Sequence, residues 1–125
     1  MTWAAVTGQV LELSTRQTDT DNRWIIRCDQ AGSTIKIIER NAGTETERAT
    51  AAQTFTNGVS YRVSISQFGN TISTSVDVSA KASYASAAFN NTATIVTTNR
   101  AGTNLVTWPY VMSGAALAEI TRMAL

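Results

Sequence analysis

The sequence contains no histidine, a single cysteine and a single proline, and only 15% of its residues are charged. The absence of histidine excludes Ser-His-Asp and Cys-His catalytic sites and histidine-ligated metal sites. One cysteine permits neither an intrachain disulfide nor a zinc-thiolate cluster. The glycine-rich patterns GxGxxG and GxxxxGK[ST], which bind nucleotide phosphates, do not occur. These absences remove most of the usual machinery of catalysis and favour a binding or assembly role.

Weak charge and the lack of long apolar runs limit the partners that this chain of 125 residues can have. A net charge of +1 gives no strong field, so we expect no nucleic acid partner held by phosphate neutralisation. No apolar run is long enough to span a membrane, and residues 1–5 do not resemble a signal peptide. Low charge suits a protein that sits in an assembly. Cys28 lies in an apolar run and is expected to be a buried, inert thiol.

Threonine, serine and asparagine are abundant, with 20, 11 and 8 copies, and they alternate with apolar residues. The clearest alternation covers residues 59–66, where four apolar residues share one face and Arg62 shares the other with three serines. A period of two residues places successive side chains on opposite sides of a sheet. This segment is therefore predicted to be a half-buried strand with a hydroxyl-rich outer face.

Similar segments, bounded by glycine and asparagine turns, predict about eight short strands. Val78 is expected to face inward at the end of the sixth strand, and the small, polar stretch 80–91 is predicted to be an irregular connection held by Tyr84 and Phe89. Many short strands with tight turns are typical of an antiparallel sandwich or barrel. The predicted strands are residues 10–13, 23–29, 34–40, 45–51, 59–66, 71–78, 92–98 and 105–112.

The chain is predicted to be one domain over residues 1–125, with a strand or arm at 1–21. Residues 113–125 are rich in good helix formers, and Ser113 can cap the first free backbone amides. A short terminal helix is therefore predicted to dock on the sheets. Pro109 cannot donate a ladder hydrogen bond, so the strand before this helix is expected to be an edge strand or bulged.

Paired carboxylates are the catalytic arrangement that this composition still permits, because a glycosidase needs only two acids. Glu45 and Glu47 come nearest to such a pair, but they follow a glycine turn and lack an apolar floor, so a solvated edge strand is favoured. We therefore expect no enzyme, no catalytic residue and no cofactor. Asp19 and Asp21 form the one acidic cluster, and they are either calcium ligands or turn residues that accept local backbone amides.

Arg62 is a candidate partner-binding residue, because a guanidinium can recognise a carboxylate or phosphate, although exposure alone also explains an arginine on a polar face. Trp24, Tyr61 and Trp108 have the rings that stack on sugars. Trp24 and Tyr61 fall on apolar faces of their strands, so packing in the core is favoured for both.

Four segments follow one another in a characteristic order: NRWIIR at 22–27, NGVSYRVS at 57–64, SVDV at 75–78 and WPYVMSGAALAEIT at 108–121. This order resembles the concanavalin A-like, laminin G-like jelly-roll domain of bacteriophage virion proteins, over about residues 22–125. The last segment, an aromatic-rich strand followed by a helix, is the most specific part. The resemblance implies an all-β fold, an antiparallel jelly-roll β-sandwich with a short C-terminal α-helix.

The chain departs from that family in three ways. Only about 20 residues precede the strand of Trp24, so the sheet is either truncated or completed by a neighbouring subunit. The Asp-Gly turn of the family is replaced by Asp77-Val78. The metal-binding acids of the plant lectins are not identifiable, and no lectin sugar-binding residue can be carried over.

The resemblance implies a non-enzymatic structural protein on the surface of a phage particle. As a capsid decoration or cement protein, it would bind the major capsid protein. As a tail-fibre or receptor-binding module, it would recognise host glycans through the polar faces around Arg62 and Thr94. Either role implies other virion proteins as partners and a homo-oligomer, and Trp3 is a further candidate anchor into a neighbour.

Overall fold

A computed structural model describes residues 10–56, 59 and 61–89, together with the backbone of residues 97–101, 112–113 and 118–119. The candidate residues Trp3, Thr94 and Trp108 lie outside these ranges. The described backbone forms ten strands in two antiparallel sheets. The all-β, two-sheet architecture predicted from the sequence is thereby confirmed.

The first sheet begins with four consecutive strands joined by short connections. They are β1 (Val10–Asp19), β2 (Asn22–Asp29), β3 (Thr34–Asn41) and β4 (Thr44–Ala52), and β8 (Thr97–Ala101) pairs with the free side of β1. The spatial order is therefore β4-β3-β2-β1-β8. The register places Leu13 beside Ile26 and Ile26 beside Ile37, so one face of this sheet is continuously apolar.

The second sheet is built from a shorter meander and two brief terminal strands. Its members are β5 (Val63–Phe68), β6 (Thr71–Val76), β7 (Ser79–Ala85), β9 (Met112–Ser113) and β10 (Ala118–Glu119). They lie in the order β7-β6-β5-β10-β9. Strands β1–β4 and β5–β7 are thus two meanders in which consecutive strands are neighbours, whereas a jelly roll is made of Greek keys.

The two sheets bury a common apolar core. Trp24, which is fully buried, donates its indole N–H to the carbonyl of Ala88 at 3.0 Å and packs against Tyr84 with ring centroids 5.9 Å apart. Tyr61 meets Phe55 edge to face at 5.3 Å, and its hydroxyl accepts the backbone N–H of Thr56 at 2.8 Å. The prediction that Trp24 and Tyr61 pack in the core is confirmed.

Tight hairpin turns set the register of both sheets. The β3–β4 turn has positive φ at Ala42 (48°) and Gly43 (79°), and the β6–β7 turn has it at Asp77 (48°) and Val78 (65°). Positive φ at both central residues defines the type I′ turn, whose twist matches that of the flanking strands. A β-branched residue rarely adopts this conformation, so Val78 occupies a strained position.

Several predicted boundaries need correction. The prediction that Val78 faces inward from a strand is wrong, because Val78 lies at the tip of the β6–β7 turn and is 84% exposed. The predicted irregular connection 80–91 is also wrong in its first half, which is strand β7. Tyr84 and Phe89 do pack against the core as expected. Val59 precedes the strand that it was predicted to begin, since β5 starts at Val63.

The chain end is only partly described. The predicted strand 92–98 overlaps β8 at Thr97 and Thr98, and the predicted strand 105–112 is described at Met112 alone. Within the predicted helix 113–125, the described residues are those of β9 and β10, whose backbone is extended. The rest of that segment lies outside the described residues, and the terminal helix stays a prediction.

Candidate functional site: the two outer faces

The outward side of β1–β4 carries a network of ion pairs, which we call the charged face. Arg27 lies at its centre and bonds to Glu12 at 2.5 Å and to Glu45 at 2.9 Å. These side chains come from three strands, since the register places Glu12 opposite Arg27 and Glu45 on the far strand β4. An arginine on β2 therefore neutralises one acid on β1 and one on β4.

Further pairs extend the charged face to its edges. Arg40 contacts Asp21 at 3.1 Å and Glu45 at 3.3 Å, and Lys36 contacts Glu47 at 3.0 Å. Partial burial alone would raise the pKa of Glu45, but the hydrogen bonds and positive charges of Arg27 and Arg40 outweigh it and hold that pKa below its ordinary value. Glu45 and Glu47 are thus engaged in structural pairs on an edge strand.

The outward side of β5–β7 is built differently, from hydroxyls and small side chains. We call it the serine face, and its alternation is that of the strands: Ser64 and Ser66 point outward from β5, while Val63, Ile65 and Gln67 point into the core. This confirms the outward placement predicted for Arg62, which is exposed just before β5. The members of the serine face are Arg62, Ser64, Ser66, Phe68, Ser73, Ser75, Val78, Ala80 and Ser83.

An open groove of about 390 Å³ runs along the serine face. Among the described residues that line it, Arg62 alone is charged, and Val78 is also part of the lining. The remaining lining is formed mainly by the paired hydroxyls of β5 and β6, since Ser64 lies opposite Ser75 and Ser66 opposite Ser73. A shallow polar groove of this kind offers several weak hydrogen-bonding positions to a partner rather than one enclosed site.

Local hydrogen bonds stiffen the floor of the groove. The ladder between β6 and β7 slips between Ser73 and Ser75, and the Thr74 hydroxyl fills the break by accepting the N–H of Ala82 at 3.1 Å and donating to its carbonyl at 3.3 Å. Ser73 and Ser83 lie 3.2 Å apart across the same two strands. The floor is therefore held by side chains as well as by the ladder.

Arg62 is anchored through its backbone and not through its charge. Its N–H donates to the Asp77 carboxylate at 2.8 Å, and its carbonyl accepts the N–H of Asp77 at 2.8 Å. Between Val59 and Phe89, Asp77 is the only described acidic side chain, and no ion pair of Arg62 occurs within the described part of the chain. The guanidinium is therefore presented to solvent from a fixed backbone.

The large apolar side chains that are exposed in the described ranges belong to the second sheet and its approach. Phe68 is 70% exposed and Val78 is 84% exposed, at opposite ends of the serine face, while Val59 is 40% exposed before β5. Sequence reasoning placed Val78 facing inward and did not identify Phe68 as a surface residue. The exposure of Phe68 was predictable, because it shares the period-two alternation of Ser64 and Ser66. The exposure of Val78 was not, because it depends on the β6–β7 turn.

The other candidates make contacts within the protein. Asp19 accepts the backbone N–H of Asp21 at 2.8 Å and the side-chain amide of Asn22 at 3.0 Å, and these hydrogen bonds lower its pKa. Asp21 pairs with Arg40. No group of three or more metal-binding side chains occurs among the described residues. Burial raises the pKa of the Cys28 thiol to about 12, which confirms a buried thiol.

Comparisons of this chain with protein-family models, with curated proteins and with solved structures find no match. In the part of the chain that the structure describes, no helix has the length and apolar character needed to cross a membrane. The case for function therefore depends on the two outer faces themselves.

Proposed function

We propose that the protein is a non-enzymatic binding and assembly module that docks through the serine face. The observation that carries this proposal is the combination, on one face, of an open groove, an Arg62 that pairs with no described acid, and the exposed side chains of Phe68 and Val78. Aromatic residues and arginine are enriched in protein interfaces, and charge is depleted at their centres. The charged face lacks these properties because its charges already bind one another.

The setting that we propose is the surface of a phage particle, where the protein acts as a capsid decoration or cement protein bound to the major capsid protein. Support comes from the sequence resemblance to jelly-roll domains of virion proteins and from the low overall charge. Assignment to the jelly-roll family, with its terminal helix, is part of this proposal. The meander order of β1–β7 counts against it, and the two-sheet architecture counts for it.

The second candidate function is recognition of host surface glycans by a tail-fibre or receptor-binding module. The specific observation in its favour is the groove lined by serine hydroxyls and Arg62, because a ligand with many hydroxyl groups can use several weak polar contacts. Binding of an immobilised glycan panel distinguishes this function from decoration. Glycan binding that is lost in Arg62→Ala supports recognition, and its absence supports decoration.

Location on the particle tests the two functions directly. Gold-labelled antibody against this chain is applied to intact particles and viewed by electron microscopy. Label spread over the head is expected for a decoration protein, and label confined to the tail tip is expected for host recognition. Absence of label from particles that contain the chain's gene would contradict both.

Paired variants test the docking face. Arg62→Ala removes a cation from the serine face, and Lys36→Ala removes one from the charged face as the matched control. We expect Arg62→Ala to reduce occupancy on the particle while Lys36→Ala leaves it unchanged. Equal occupancy of both variants would exclude the serine face as the docking surface.

Trp3 provides a separate test, because it was predicted as an anchor into a neighbour and lies outside the described residues. Trp3→Ala is expected to reduce occupancy on the particle without changing the thermal unfolding of the isolated protein. Unchanged occupancy would remove Trp3 from the interface.

A further inference from the structure

Three buried polar side chains lie at one end of the sandwich, on β1 and on the β5–β6 hairpin. Gln67 is fully buried, Thr15 is 1% exposed and Arg16 is 3% exposed. Arg16 donates from Nη2 to the carbonyl of Gly69 at 2.7 Å, which joins β1 to the hairpin that carries Gln67 two residues earlier. This contact brings the three side chains to the same end of the molecule.

The polar atoms of this cluster lack partners among the described residues. They are the Thr15 hydroxyl, Nη1 of Arg16 and both the amide nitrogen and the amide oxygen of Gln67. Buried polar groups are nearly always hydrogen-bonded, and an unsatisfied set suggests a bound water or ion. A buried guanidinium is especially unfavourable without a negative charge nearby.

The backbone at Arg16 is also unusual. Its φ is +47°, and the register between β1 and β2 breaks between Thr15 and Asp19. This irregular turn directs Arg16 towards the hairpin of the other sheet. Burial lowers the pKa of Arg16, and no acidic group among the described residues offsets that effect. Strained backbone residues cluster where proteins hold ligands. Arg16 combines such a backbone with a buried positive charge that no described acid compensates.

We propose that Thr15, Arg16 and Gln67 bind a phosphate group. Nη1 of Arg16, the Thr15 hydroxyl and the Gln67 amide nitrogen supply hydrogen-bond donors and a positive charge for an oxyanion. The Gln67 amide oxygen is an acceptor, and it requires a donor from the ligand. Phosphate retains a proton near pH 7 and can donate to this oxygen, whereas sulfate has no proton to donate.

Gly69, whose carbonyl accepts from Arg16, is exposed, and so is Thr18, two residues after Arg16. The proposed site is separate from the serine face, and it can succeed or fail independently of the docking proposal.

The test is a phosphate titration of the whole protein, with potassium sulfate at equal ionic strength as the reference. Both salts stabilise proteins generally through exclusion from the surface, so only a saturable effect is informative. We expect a saturable increase in Tm with inorganic phosphate and a smaller one with sulfate. Saturation in sulfate at the same or a lower concentration would overturn the role of the Gln67 oxygen and hence the assignment to phosphate.

Variants separate a site from a general salt effect. Arg16→Met should abolish the saturable response, and Lys36→Met, which removes a cation that pairs with Glu47 on the charged face, should retain it. The same response in Arg16→Met and in the unchanged protein would overturn the proposal. Glycerol phosphate in place of inorganic phosphate shows whether the site accepts an ester, and saturation by either probe supports it.

A second readout does not depend on the folding of Arg16→Met. The side-chain amide resonance of Gln67 is assigned in an ¹⁵N-labelled protein by comparison with Gln67→Met. We expect it to shift with phosphate along the same saturation curve as Tm. A resonance that does not move during the titration would overturn the proposal.

Discussion

The charged face and the serine face cover the two sides of one sandwich, and they solve the problem of polar surface in opposite ways. On the charged face, Arg27 and Arg40 both contact Glu45, so that bases and acids satisfy one another. On the serine face, Arg62 has no acidic partner in the part of the chain that the structure describes, and Phe68 is exposed beside hydroxyls. One polar face of the sandwich is therefore internally satisfied, and the other is available to a partner.

Removal of the central arginine of the charged face gives the largest expected effect. Arg27→Met leaves Glu12 without its cation and Glu45 with Arg40 alone, and the Glu12 side chain is only 17% exposed. We expect the free energy of unfolding to fall by about 1 to 2 kcal/mol, between the values for exposed and buried pairs. Urea unfolding measures it.

Arg62→Met is the matched control for that change, because it removes an arginine that pairs with no described acid. Its expected effect is within about 0.5 kcal/mol, as for an ordinary surface substitution. Equal losses in the two variants would contradict the distinction between a satisfied face and a free one.

Backbone strain in one hairpin turn of each sheet gives a smaller expected change in stability. Val78→Gly relieves a β-branched residue at φ 65° and should raise the free energy of unfolding by about 0.5 to 1 kcal/mol, after the entropy that glycine adds to the unfolded chain. Ala42→Gly, in the matching turn of the first sheet, should give a smaller gain because alanine is not β-branched. Thermal unfolding of both variants provides the measurement.

A loss of stability in Val78→Gly would show that Val78 contributes to packing in the isolated protein. If stability rises while occupancy on the particle falls, the strained valine is retained for binding. That outcome would strengthen the assignment of Val78 to the docking surface.

Part of the stability lost at low pH should come from the charged face, and this is the smallest of the expected changes. The pKa of Glu45 is lower in the folded protein than its ordinary value of 4.5. The ion pairs of Glu45 therefore stabilise the fold fully above about pH 4.5, and this stabilisation is lost as the pH falls through the folded pKa. Glu45→Gln should therefore lose less stability than the unchanged protein between pH 7 and pH 3. Urea midpoints at the two pH values measure the difference, and equal losses would remove Glu45 as a contributor.

Much of the first sheet was predictable from the sequence. The strands predicted at 23–29 and 34–40 match β2 and β3 to within one residue, and the turn expected near Gly43 joins β3 to β4. The ion-pair network was not predicted, because it requires the register that sets Glu12 opposite Arg27. Charges on separate strands reveal their pairing only once that register is known.

The second sheet shows where local patterns fail. Strand β7 is rich in alanine and serine, which have little intrinsic preference for strands, and it forms because it pairs with β6 and its Tyr84 packs on the core. Val78 continues an apolar alternation into a turn that lacks the usual glycine. Nothing in the sequence distinguishes Gln67 from other polar residues. It is buried because it lies on the core side of β5, with Val63 and Ile65, next to the hairpin tip.

Hydroxyl-radical footprinting of the free and particle-bound protein tests the central claim most directly, because it measures side-chain exposure on each face. Phe68 and Val78 should lose reactivity on binding, while Lys36 and Arg40 keep theirs. Protection of Lys36 and Arg40 with unchanged reactivity of Phe68 and Val78 would show that the charged face is the docking surface, and it would contradict the account.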